Sequence, residues 1–134
     1  MNKRLIIDGH RVYVSPIWNV DENFLRASDK VTSDVENVYF CKSERGYGLI
    51  LESSSYDRDL LIEGRLGLAI TIRDPSGEVA TQYVSGTDNV EFLLRELGAS
   101  PENLSPAKGR KVTAYKRSIA LYGISVPEPV TAGV

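Results

Sequence analysis

From residue 66 the chain alternates without a break. Leu66, Leu68, Ile70 and Ile72 are interleaved with Gly67, Ala69, Thr71 and Arg73. Successive side chains of a strand point to opposite faces, so this run places one face in a core and fits no helical period. Both ends are punctuated. Gly64 precedes it, and Asp74-Pro75-Ser76-Gly77 follows as a turn with proline preset for the second position and glycine at the fourth. The turn feeds residues 79–84, which makes the pair a hairpin. The core must therefore be built on antiparallel strands.

Three further hairpin signals agree. Leu5-Ile6-Ile7 and Arg11-Val12-Tyr13-Val14 flank Asp8-Gly9-His10, with Pro16 ending the second strand. Val38 to Cys41 and Leu49 to Leu51 bracket Ser43-Glu44-Arg45-Gly46. Lys111 to Tyr115 and Ile119 to Ile124 enclose a charged turn at Lys116-Arg117. One helix is well marked. Val90, Leu93, Leu94 and Leu97 share a face, Asp88 and Glu91 stand at capping-box spacing, and Gly98 follows as a stop. Residues 19–36 are acidic, with Asp21 placed to cap a short helix carrying Phe24, Leu25 and Val31; residues 56–63 form one or two helical turns.

These elements predict an α+β fold, a mainly antiparallel curved sheet or partly open barrel with the helix at about 88–97 packed on it. At 134 residues and 42% hydrophobic content, residues 1–126 form a single domain with a core of its own. Pro127 and Pro129 make 127–134 a flexible tail. A lone cysteine, Cys41, rules out an internal disulfide, and Met1 to Arg4 opens no secretory signal. No apolar run approaches the ~20 residues that cross a bilayer. The expected location is cytoplasmic, with no membrane partner.

Chemistry is scarce. His10 is the only histidine, and general-base triads need an imidazole. One histidine and one cysteine exclude the usual zinc ligand sets. Asp57, Asp59 and Glu63 could hold a hard cation with loop oxygens, but they follow no twelve-residue calcium loop. No glycine-rich phosphate or dinucleotide loop is present. The expectation is a protein that is not an enzyme, with no catalytic residues, no metal and no cofactor; a carboxylate-based hydrolase is the third reading.

Arg45-Gly46-Tyr47-Gly48-Leu49-Ile50 resembles the start of the RNP1 strand of RNA-recognition-motif domains, and Val12-Tyr13-Val14-Ser15-Pro16-Ile17 resembles RNP2. The resemblance spans residues 12–53. It implies base stacking on Tyr13 and Tyr47 and a phosphate or base contact from Arg45. Leu49 and Glu52 stand where that motif carries aromatics, and Asp29 where it carries a phenylalanine.

A second cluster, Lys108, Arg110, Lys111, Lys116 and Arg117 with Tyr115 and Tyr122, is basic in a chain of net charge −2. It could hold phosphates or an acidic partner. The expected function is a small non-catalytic binding protein recognising a macromolecular partner, of a kind phages and mobile elements encode. The partner is a protein or, in the alternative reading, single-stranded nucleic acid held by Tyr13, Arg45, Tyr47, Arg110, Lys111, Tyr115, Lys116 and Arg117.

Overall fold

The computed structural model of the chain describes residues 5–15, 18–42 and 52–130. Asp8 and Gly9 both take positive φ (52° and 80°), the two-residue turn that matches strand twist, and join β1 (Leu5–Ile7) to β2 (His10–Val14). His10 is thus the first residue of a strand, paired with Ile7, and not part of the turn. After α1 (Glu22–Arg26) comes β3 (Asp29–Lys42), then a short β4 (Glu52–Ser53) and α2 (Arg58–Ile62). β5 (Leu66–Arg73), β6 (Val79–Val84), α3 (Thr87–Glu96), β7 (Lys111–Arg117) and β8 (Ala120–Ser125) complete the chain.

The strands form one antiparallel sheet in the order β1-β2-β8-β7-β3-β5-β6, with β4 beside the end of β3. β3 organises it. Its first half, 29–34, pairs with β7 and its second, 34–42, with β5. Glu36 is an extra residue against β5, because Val35 faces Ile72 and Asn37 faces Thr71; such a bulge bends the strand. The sheet curls until β6 nears β2, where the Gln82 amide donates to the Tyr13 carbonyl at 3.2 Å. It does not close into a barrel.

Inside the curl lies the main core. β5 supplies Leu66, Leu68, Ile70 and Ile72, while α3 contributes Val90, Leu93 and Leu94 and its C-cap contributes Leu97. Each such side chain, fully removed from water, contributes about 1.5–3 kcal/mol. A smaller cluster on the other face gathers Ile7, Val12, Leu25 and Tyr115 under α1. No helix among the described residues is long and apolar enough to cross a membrane.

Three expectations are corrected in detail. α3 begins at Thr87 with Gly86 (φ 92°) as its N-cap, so Asp88 makes no cap hydrogen bond and instead faces the helix dipole from the first turn. Its end is as expected: Gly98 turns left-handed (φ 74°), and Gly98 N and Ala99 N donate to the Arg95 and Leu94 carbonyls. Val31 belongs to β3, not to a helix. The last hairpin turns at Ser118-Ile119, which leaves Lys116 and Arg117 in β7. Of the expected tail, residues 127–130 are described, and the Val130 amide donates to the Glu96 carbonyl at 2.9 Å; residues 131–134 lie outside the described residues.

Candidate binding cleft

A cleft of about 700 Å³ opens where β2 ends. Its floor is made of Val12, Tyr13 and Ser15, all buried. One wall is Ser85, just before α3, and Asn89 in its first turn; the other is the segment from Trp18 to Phe24. Asp21 builds that wall. Its Oδ1 accepts the Phe24 amide at 2.8 Å and caps α1, so the aromatic ring of Phe24 is fixed relative to the carboxylate.

A β-bulge supplies the support behind the rim. Tyr115 faces Gly123 and Lys116 faces Leu121, which leaves Tyr122 as the additional residue on β8. Its ring meets both Trp18 and Phe24 with centroids 4.8 Å apart, and the Arg117 guanidinium covers the Phe24 ring at 3.6 Å. Trp18, at 38% exposure, is therefore a large apolar group in water with its ring already held. Below it the Ser15 hydroxyl is sealed from solvent and has no hydrogen-bond partner among the described residues.

Tyr13, expected as a stacking platform, is core. It is 2% exposed, and its hydroxyl donates to the Glu96 carboxylate on α3. A ring facing inward across the curled sheet cannot offer its face to a base. Burial, reinforced by Glu96, raises the phenol far above its ordinary range, so it remains a donor. The same burial raises Glu96, against the opposing pull of Tyr13, Arg11 and His10. A carboxyl whose folded value is raised favours folding most below its ordinary value, 4.5, and loses that contribution as pH rises through the folded value. Glu96→Gln keeps an acceptor for Tyr13 and removes the charge. Its melting temperature relative to the native chain is expected to be higher at pH 7 than at pH 4; an unchanged difference would contradict the assignment.

The basic cluster is dispersed. Lys111 pairs with Asp34, and Lys116, buried, with Glu78 at 2.8 Å and Asp74 at 3.4 Å. Arg117 donates to the Phe24 carbonyl, and Tyr115 is buried. Arg110 approaches Gly98 at the end of α3, away from the Lys116 pair. Lys111, Lys116 and Arg117, which read as part of a free patch, are engaged in tying β7 to other elements. Arg45 and Tyr47 lie outside the described residues. Asp57 caps α2 by accepting the Asp59 and Leu60 amides, and no group of three His, Cys, Asp or Glu among the described residues is placed to hold a metal. Cys41 is buried, and burial pushes its thiol up to about 11, which keeps it protonated and unreactive at neutral pH.

No family model, curated protein or solved structure matches this chain.

The cleft was not visible in the sequence. Trp18 is the only tryptophan and stands two residues after Pro16, a combination that marks a loop and nothing more. Only the curl of the sheet brings Ser85 and Asn89 opposite residues 18–24.

Proposed function

We propose that this protein is a non-catalytic binding protein whose macromolecular partner, a protein, docks on the Trp18 rim of the cleft. The observation that carries this reading is the half-exposed indole, braced by Tyr122 over a cleft with a buried floor. A rigid, exposed aromatic beside a concavity is the usual anchor of a protein interface, since its ordering entropy is already spent. Single-stranded nucleic acid draws no comparable support, because Tyr13, Tyr115 and Lys116 are buried and Lys111 is paired.

The test is affinity capture from the native cell with the native chain and with Trp18→Ala. The native chain is expected to retain one protein at stoichiometric yield. Loss of a central tryptophan costs about 2 kcal/mol or more of binding, roughly thirtyfold in affinity. Trp18 lies on the rim, so its removal should leave the melting temperature nearly unchanged. Equal capture by both chains would place the contact elsewhere and defeat the proposal.

A further inference from the structure

The edge of β2 is open inside the cleft. On one side Val12, Tyr13 and Val14 pair with β8; on the other, among the described residues, pairing with β1 ends at Leu5, opposite Val12. The β1–β2 turn fixes which backbone groups point where. Ile7 and His10 close a two-residue turn, so they exchange both hydrogen bonds. Bonded and non-bonded pairs alternate along an antiparallel ladder, which makes Leu5 and Val12 the next bonded pair. Tyr13 accordingly turns its N–H and C=O to Ile124 on β8, and Val14 turns its own the opposite way. There they meet the cleft beyond Leu5, and no described residue bonds them. The Ser15 carbonyl, one residue on, accepts the Trp18 amide at 3.0 Å. Across the cleft, β6 reaches β2 through the Gln82 side chain and not through a ladder. On the α1 side, Leu5, Val14 and Val20 are half-buried and pack on the smaller core.

We infer that the partner protein lays an extended segment in the cleft as an added strand, bonded through its backbone to Val14 and seated against Leu5, Val14 and Val20. This specifies the segment recognised in the binding reading and rests on that reading. An open strand edge is a template for another strand, with main-chain bonds giving affinity and side-chain contacts giving choice. The residue that bonds Val14 shares its face, so its side chain points at the apolar strip beside Trp18. An apolar, β-branched residue fits that position, with polar residues alternating on the other face. A helical segment has its own backbone bonds complete and would leave the Val14 groups unmet.

The probe is the neutral peptide acetyl-Thr-Val-Thr-Val-Thr-methylamide, titrated into the full chain and followed by the emission of Trp18, the sole tryptophan. A saturable shift is expected. In a strand docked this way the valines turn their N–H groups to β2, and the central threonine turns its own away. N-methylation of both valines should weaken binding about tenfold or more, the size of a backbone bond lost with its partner left unmet. N-methylation of the central threonine should weaken it far less. Exchange of the Val14 amide with solvent, read by NMR, should be fast in the free chain and slow once the peptide is bound. Val14→Pro deletes the amide hydrogen at issue, at an edge position where proline is tolerated, and should weaken the peptide to the same extent. Its melting temperature checks that it folds; if it does not, the methylated peptides decide. No saturable shift, equal loss from either methylation, or a Val14 amide already protected in the free chain would each overturn the inference. Protection of that kind would mean that a second copy or another part of this chain holds the edge. If the peptide fails while capture of the partner still depends on Trp18, strand addition falls and the binding reading stands. Capture that ignores Trp18 would overturn both.

Discussion

Gly67→Ala is expected to destabilise the protein by about 2–3 kcal/mol, as inserted volume does in a packed layer. Gly67 is the second residue of β5, opposite Cys41 on β3. It faces away from the main core, into a layer where Cys41, Ala69 and Tyr83 are buried together. A Cβ at position 67 would fall inside the van der Waals envelope of the Tyr83 ring, against Cε2, Cζ and the hydroxyl oxygen. That ring belongs to the neighbouring strand, where Tyr83 faces Ala69, and it lies diagonally over the glycine. The ring is 3% exposed and cannot swing into water to make room. At roughly 3–4 °C per kcal/mol for a chain of this length, the melting temperature should fall by about 6–12 °C. The sign should reverse once the ring is trimmed. In a Tyr83→Leu background the alanine no longer meets a ring, and relief of the backbone entropy of a strand glycine leaves the same substitution neutral or mildly favourable. A double-mutant cycle is therefore expected to give a coupling of about 2 kcal/mol or more. Additive effects would mean that the ring does not rest on Gly67.

The parts of the fold that could be read from sequence are those where one packing face dominates. β5 alternates cleanly because β3 and β6 flank it and α3 covers its inner face, so every second residue had to be apolar. The first half of β3 gave no such signal. Its buried positions there include Ser33, while Asp29, Lys30, Thr32 and Asp34 face water, and the bulge at Glu36 then breaks the period. A fourteen-residue strand was thus hidden by two small physical facts, a serine in the core and one residue too many. The start of α3 was misplaced for a comparable reason. A left-handed glycine at 86 admits the helix two residues earlier than Asp88 suggests, and backbone angles of that kind leave little trace beyond the glycine itself. The candidate site was the least legible part. Tyr13 fits a motif for stacking by position along the chain, yet whether a strand residue meets solvent or core depends on which way the whole sheet curls. The cleft needs the same curl, together with a bulge at Tyr122 that reverses where a ring points.

Lys116→Met is expected to cost about 2–3 kcal/mol at neutral pH, although a lysine in a basic run looks dispensable. The side chain is 8% exposed and bridges the carboxylates of Asp74 and Glu78 in the β5–β6 turn, so it ties β7 to the far end of the sheet. Breaking a buried pair usually costs about 3–5 kcal/mol because the partner is left uncompensated. Here the loss should be smaller, since Glu78 is 41% exposed and can return to water. Asp74 cannot move as freely: its Oδ1 accepts the Ser76 hydroxyl and the Ser76 and Glu78 amides, which shape the turn. Methionine retains the stem and its packing, so the measured loss belongs to the charge. The pH dependence separates this from a simple packing defect. Hydrogen bonds from Ser76, from the Glu78 amide and from Lys116 hold Asp74 below its ordinary value of 3.8, so its contribution is present above that value and lost as pH falls through the lower folded one. Glu78 first, and then Asp74, raise Lys116 above its ordinary 10.5, so its contribution is full below that value and disappears as pH rises through the folded one. The gap in unfolding free energy between the native chain and Lys116→Met should accordingly be widest between these limits and narrow outside both. Denaturant titrations at acid, neutral and alkaline pH read it directly. A gap that stays constant from acid to alkali would show that pairing with Asp74 and Glu78 is not what Lys116 contributes.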